Sequence, residues 1–382
     1  MARAKRPMST NDPTGRAPVI GQDPAVDALR KAIECGRLAQ SWLFHGPEGV
    51  GKRTTALRLA RLLLDPATTP ALIGSFSPPS DTKAQTLIDA RTHPDLVVLS
   101  KDMAADSQIP RLRDKKQVDI PADLLREHII GGVIKGENRV FEPAVQLSPR
   151  IAPRRVFIID EAELLNPTGQ NVLLKTLEEP PATSTLILLS TNPARMLPTI
   201  RSRCQTLGFG RLDEAAMGSW IETQSFEAST TVLAQARTFA QGSPGRLLFA
   251  IEHDLAAWET RLGSGLRDLC AGTYPVALAS DLAKLIDDFA KAKEKLNRRT
   301  SLEAAKREGL QVILSFVAGS INTQMLGAVE AGDSAAADRC ARALDPLVEA
   351  EGRIARSLNL KMVLADMVSK IAEAMRPLEG VR

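Results

Sequence analysis

At 382 residues the chain is too long for one compact core, and two or three domains are expected. Hydrophobic residues at 44% and charged residues at 25% are those of an ordinary soluble globular protein, while aromatics at 4%, with a single Tyr, point to Leu- and Ala-rich helices. The +4 balance, 49 Lys and Arg against 45 acidic residues, is too mild to demand a nucleic-acid partner by itself. Cys35, Cys204, Cys270 and Cys340 lie too far apart to form a CxxC pair, which excludes that zinc or redox motif and leaves free thiols as the expectation. From Met1 to about Pro18 the chain is polar and basic, without the apolar stretch of a secretory signal, and no uninterrupted run approaches about 18 apolar residues. A soluble, cytoplasmic chain with no membrane partner is expected.

In chain order, a tail over 1–17 is expected to be disordered, and Ala25, Leu29 and Ile33 then recur at fourfold spacing as one helix from Pro24 to Ile33. Ser41-Trp42-Leu43-Phe44-His45 predicts a strand running into a Gly-rich turn, and Leu57, Ala60 and Leu64 predict the helix after it, over Thr54 to Leu64. Leu96 to Leu99, Val156 to Ile159 and Leu186 to Leu189 are continuous apolar runs, the pattern of strands buried on both faces of a parallel sheet. The fold class is therefore α/β, with a core over 18–210. Between Asp65 and Arg154 the pattern degrades, and mostly insertion loops are expected over about 66–150. A small helical unit follows over 211–255, where Gly242 closes one helix and Ser243-Pro244 caps the next. Residues 256–382 read as helix throughout, with apolar stripes at Leu278, Leu282, Leu285 and Phe289 and at Leu360, Leu364, Met367 and Ile371.

Three motifs carry chemistry. Gly46-Pro47-Glu48-Gly49-Val50-Gly51-Lys52 matches a phosphate loop, whose glycines let backbone N–H groups approach phosphates and whose Lys places a charge at the β/γ oxygens. The position that should bring a hydroxyl to Mg²⁺ is Arg53, and the next hydroxyl comes one residue late at Thr54. The apolar strand ending in Asp160-Glu161 delivers two carboxylates at its C-terminal end, where ligands of open α/β sheets bind. Asp160 suits Mg²⁺ and Glu161 an attacking water, although acids also favour a helix N-terminus without any such role. Arg203, in Ile200-Arg201-Ser202-Arg203-Cys204, and Arg246, just after Ser243-Pro244, are suited to phosphoryl charge, or are ordinary surface charges.

The order of Val19-Ile20-Gly21-Gln22, the Gly46 loop, Asp160-Glu161-Ala162-Glu163, Asn171 to Pro181, Ser190-Thr191-Asn192, Ser202-Arg203-Cys204 and Gly242-Ser243-Pro244-Gly245-Arg246 resembles bacterial DNA polymerase III clamp-loader subunits of the AAA+ family. The Leu-Leu-Lys-Thr-Leu-Glu-Glu-Pro block over 173–180 is the most specific part, and the likeness covers about residues 18 to 250. It implies a P-loop AAA+ core, a helical lid and an all-helical C-terminal collar for oligomerisation. It also implies gamma/tau- and delta-type partner subunits, and a sliding clamp and primed DNA met through the complex. By the same resemblance, Arg203 reaches as an arginine finger into a neighbour's ATP site, Arg246 senses nucleotide, Asn192 falls near the sensor that ends the fourth core strand, and Val19 and Ile20 border the nucleotide. Family members often carry a four-cysteine zinc module after the first core helix. The stretch from Leu64 to His93 has no cysteine, and no zinc is expected.

The displaced hydroxyl at Arg53-Thr54 resembles delta-prime subunits, whose own site is often degenerate. Whether this chain uses ATP or ADP with Mg²⁺ is left open. An active gamma/tau-type motor stands as the alternative, since Lys52, Asp160 and Glu161 are all present, although the chain lacks the long extension of the tau form. A Holliday-junction-type helicase motor is less favoured, because the last third shows no β-hairpin signal for a winged-helix DNA domain. Lys115-Lys116, Arg154-Arg155 and Lys291 to Arg299 read as solvated faces rather than DNA contacts, and His93-Pro94-Asp95 reads as a turn.

Overall fold

A computed structural model of the chain describes residues 14–113, 119–134, 136–137, 139–226, 228–296, 302–354 and 359–377. The expected tail up to residue 13, Lys115-Lys116 and residues 297–299 of the basic run lie outside the described residues. The described chain forms two compact units, one of 14–226 with Ala240–Phe249 and one of Ala228–Phe239 with 250–377.

In the first unit α1 (Asp23–Glu34) starts with Pro24 in its first turn, where the missing N–H costs nothing. β1 (Ser41–His45) leads through the glycine loop into α2 (Lys52–Leu64). Leu96–Leu99 is a strand, β2, as its apolar run predicts, but the rest of the segment expected as loops is ordered too, as α3 (Pro70–Gly74), α4 (Lys83–Asp89), α5 (Pro110–Arg113), α6 (Ala122–Leu125) and the antiparallel hairpin of β3 (Gly132–Ile134) and β4 (Arg139–Phe141). These elements are three to seven residues long, shorter than the window in which periodicity shows. Burial holds them: Ile109, Ile120, Leu124, Leu125, Ile129 and Ile134 are fully buried in the core. Thr69 and Thr82 accept the Leu72 and Gln85 N–H groups as N-caps of α3 and α4.

β5 (Arg155–Ile159), α7 (Pro167–Glu178), β6 (Ser184–Ser190), α8 (Pro198–Arg201) and β7 (Gln205–Gly208) complete the sheet, in the order β2-β5-β6-β1-β7 with every pair parallel. Successive residues of a strand face opposite ways, so Leu43, Phe157, Leu186 and Leu188 enter one core while Trp42, Phe44, Ile158 and Ile187 enter the other. Both faces are covered, as the continuous apolar runs predict. This is the expected α/β core, a parallel sheet with a glycine loop at the end of β1. β7 was absent from the sequence reading because only one of its four residues, Leu207, is buried.

The tail expectation is corrected for its last residues. Buried Arg58 donates to the carbonyls of Arg16 and Ala17, and fully buried Arg61 donates to the Thr14 carbonyl and to Gln85 and Asp89. A buried guanidinium must spend its donors, and the Thr14, Arg16 and Ala17 carbonyls supply part of the acceptors.

The segment expected as a lid contains α9 (Glu214–Glu222), α10 (Thr230–Ala240) and α11 (Pro244–Glu252). The second unit is helical among its described residues: α12 (Leu255–Cys270), α13 (Leu278–Leu296), α14 (Leu302–Glu330), α15 (Ser334–Arg342), α16 (Asp345–Ile354) and α17 (Leu360–Met375). The Leu278, Leu282, Leu285, Phe289 stripe of α13 is buried, as are Leu364, Met367 and Ile371 of α17, while Leu360 is half-buried. Within α14, Ala305–Glu330 is long and apolar enough to cross a membrane by length and composition, its apolar residues being interrupted by polar ones rather than continuous. Its Leu310, Ile313, Val317 and Ile321 are buried and Gly309 lets α14 approach Phe289 of α13, while Leu326 and Val329 further along are exposed.

Candidate functional site

The Gly46 loop leaves the carboxyl end of β1 and closes on three sides against its own unit. Gly46 donates its N–H to the Ser190 carbonyl at the end of β6, and a Cβ there would stand 2.2 Å from the Phe209 carbonyl oxygen. Gly49, at φ 72°, is pressed against the Gly242–Arg246 turn: a Cβ would meet Ser243 Oγ at 2.6 Å and Gly245 Cα at 2.8 Å. Only glycine combines that positive φ with so close an approach. Ser243 Oγ donates to the Glu48 carbonyl at 2.8 Å and Gly245 N–H to the Gly49 carbonyl at 2.9 Å, while Ser243 Oγ also accepts the Arg246 N–H as the cap of α11. The predicted cap is therefore also a strut for the phosphate loop.

Gln22 has a role the sequence reading did not assign. It is buried, and its amide donates to the Val50 carbonyl at 3.1 Å and the Gly210 carbonyl at 2.8 Å while accepting the Gly210 N–H at 3.2 Å. One side chain thus pins the loop to the end of the core. Its position beside Val19-Ile20-Gly21 was the available signal; Val19 and Ile20 themselves are half-buried, with Val19 packed on the core.

The charged residues meet at the same carboxyl edge, paired with one another. Lys52 is buried and donates its Nζ protons to the Gly46 carbonyl at 2.8 Å and the Pro47 carbonyl at 2.6 Å. Burial lowers its pKa, against the pull of Glu163, Glu48 and Asp160. Arg53 occupies the hydroxyl position and its guanidinium donates to Asp160 Oδ2 at 2.8 Å. Asp160 Oδ1 accepts the Glu161 N–H at 3.1 Å. Glu161 sits in the left-handed region at φ 50°, uncommon for a side-chain-bearing residue, and its Oε1 accepts Lys101 Nζ at 2.8 Å. Burial of that carboxyl raises its pKa, with Lys101 opposing. Thr54 follows Arg53 on α2, about 100° further round the helix, and so points away from the place its neighbour's side chain takes.

Arg246 is half-buried. Burial and nearby Arg211 lower its pKa while Glu48 of the loop raises it, placing the guanidinium within electrostatic reach of the loop. Asn192, exposed, lies two residues beyond β6, where its N–H donates to Ser190 Oγ at 3.1 Å.

Arg203 stands apart from all of these. It precedes β7, whose Gln205 pairs with Trp42, so it lies at the amino edge of the sheet, roughly 20 Å along the strand direction from the Gly46 loop at about 3.3 Å per residue. It is exposed, its neighbour Cys204 is buried with a thiol pKa pushed up to about 12, and all four cysteines are free. His93 and Asp95 form the predicted turn: Asp95 N–H donates to His93 Nδ1, and the fully buried Asp95 carboxylate accepts the N–H groups of Arg150, Ile151 and Ala152 with Arg155 beside it. Arg154 and Arg155 spend donors inside the unit, on Thr185 and on the carbonyls of Ala144 and Pro94.

A parallel sheet with a phosphate-type loop at its carboxyl edge and an acidic strand end beside it defines a P-loop nucleotide-binding-type module. The family model described as DNA polymerase III, delta subunit matches residues 21–213, half of the chain. The chain belongs to this family and is a delta-prime-like member of the clamp-loader group. It is similar to DNA polymerase III subunit delta' of Pseudomonas aeruginosa, at 31% identity over 206 residues, covering 54% of each chain. It is also similar to subunit delta' of Bacillus subtilis, at 28% over 196 residues (51% and 50%), and to subunit gamma/tau of Mycobacterium bovis, at 30% over 251 residues (64% and 38%). The chain spans about half the length, or less, of these curated relatives.

Proposed function

We propose that this chain is a delta-prime-type, non-motor subunit of a DNA polymerase III clamp loader, working in the cytoplasm beside gamma/tau- and delta-type subunits and helping to set a sliding clamp on primed DNA. The observation that carries the non-motor reading is the Arg53–Asp160 ion pair. Mg²⁺ needs Asp160 free and a hydroxyl at position 53, and this arrangement offers a cation in the metal's place. The residues present do not fit a bound Mg²⁺, and Glu161, which would face an attacking water, is instead paired with Lys101. Arg203 is the chemical contribution: exposed, at the far edge from its own loop, it is suited to a phosphoryl group held by a neighbouring subunit.

The alternative, a gamma/tau-type ATPase, is favoured by the presence of Lys52, Asp160 and Glu161 together and by the gamma/tau likeness. Calorimetric titration of the isolated chain with an ATP analogue and Mg²⁺, beside its ATPase rate, separates the two readings. The non-motor reading expects no Mg²⁺-dependent binding and no turnover; tight Mg²⁺-dependent binding with turnover would make the chain a motor. A helicase motor with a winged-helix domain receives no support from the helical second unit.

A further inference from the structure

The most specific block of the sequence, Leu173 to Pro180, brings a carboxylate beside Arg203 at the amino edge of the sheet. Glu178 is the last residue of α7, and its Oε1 forms an ion pair with Arg203 Nη2 at 2.8 Å while Arg203 Nη1 donates to the Thr199 carbonyl at 3.0 Å. The side chains remain 49% and 35% exposed, so the pair is reachable by solvent and by a competing anion. Glu179-Pro180-Pro181 stops the helix directly after Glu178, and the negative end of the helix dipole adds to the carboxylate's pull on a cation. Arg203 also lines an open groove at the amino edge of the sheet with Gln40, Pro180 and Gln205.

We propose that Glu178 is a positioning residue for Arg203: it holds the guanidinium at the groove when no phosphate faces it, and gives it up when a neighbour's nucleotide arrives. The inference rests on reading Arg203 as a finger acting in trans. An exposed carboxylate–guanidinium pair is weak, worth no more than about fivefold in an equilibrium constant, whereas a polyphosphate offers several charged acceptors to the same fork. Glu178 therefore sets a small threshold that the arriving nucleotide exceeds.

Glu178→Gln keeps the shape and removes the competing charge; Glu178→Asp keeps the charge, shortened by one methylene. In the isolated chain, phenylglyoxal modification of Arg203, followed by peptide mass spectrometry, should quicken about two- to fivefold in Glu178→Gln and less in Glu178→Asp. In the assembled complex, Glu178→Gln should lower the ATP concentration for half-maximal turnover by a similar factor at unchanged kcat, with Arg203→Ala losing kcat. Equal modification rates, an unmoved half-saturation point, or a kcat loss in Glu178→Gln matching that of Arg203→Ala would each overturn the positioning role while leaving the finger reading intact. Full turnover in Arg203→Ala would remove both.

Discussion

The carboxyl and amino edges of the sheet set their ion pairs in different surroundings. At the carboxyl edge Arg53 is spent on Asp160, Lys101 on Glu161 and Lys52 on the loop's own carbonyls. At the amino edge Arg203 is exposed and, among the described residues, is held by the exposed Glu178 side chain and the Thr199 carbonyl. Both guanidinium groups are ion-paired at 2.8 Å, with 47% of the Arg53 side chain and 35% of the Arg203 side chain in solvent; what differs is the setting, since the Arg53 pair fills the metal position of the phosphate loop and the Arg203 pair lines an open groove. On the proposed function, the chain's chemistry faces outward, away from the loop that its sequence advertises.

The largest effect that would sharpen this contrast comes from the amino edge. Arg203→Ala should slow hydrolysis at the neighbouring site by roughly 10³-fold, read by single-turnover ATPase of the assembled complex with assembly intact. Unchanged turnover would erase the contrast. Asp95→Asn, also at that edge, should cost about 3 kcal/mol in denaturant unfolding by leaving three N–H groups and Arg155 facing a neutral amide. Burial alone would raise the Asp95 pKa, but the three N–H donors and Arg155 outweigh it and hold it below the usual carboxylate value. Its folded pKa is thus below its unfolded one, so its contribution is complete above about pH 4 and is lost as pH falls through the folded value. The wild-type unfolding midpoint should fall at acid pH, and the Asn variant should lack that component.

At the carboxyl edge, Arg53→Ser should release Asp160 and supply a hydroxyl, strengthening Mg²⁺-dependent binding of an ATP analogue by at least about tenfold in calorimetry. Binding no tighter than in the parent chain would mean that something other than Arg53 closes the site. Smallest of all, Lys52→Ala should leave clamp loading by the complex within about twofold, since that ammonium is already committed to the loop. A collapse of loading with normal assembly would restore the motor reading.

The sheet was legible because β1, β5 and β6 are buried on both faces and so write continuous apolar runs, and because the glycine loop and the Asp160-Glu161 strand end have recognisable spacings. What stayed hidden has one physical source: partners distant in sequence. Arg53 and Asp160 are 107 residues apart, Lys101 and Glu161 60, and Gln22 and Gly210 188, so no local pattern announces them. The short helices and hairpin before β5 escaped for a related reason. Their apolar residues are too few to show a period and find their place only against the sheet face they cover.

The crossing of Gly49 and Gly245 carries a mechanical consequence. Two backbones that touch with no side chain between them cannot accommodate a shift by a change of rotamer, and the Ser243–Glu48 and Gly245–Gly49 hydrogen bonds stitch the same spot. A tilt of the Glu48–Gly49 peptide is therefore passed directly to the turn that bears Arg246, as through a rivet, with no ligand needed to transmit it.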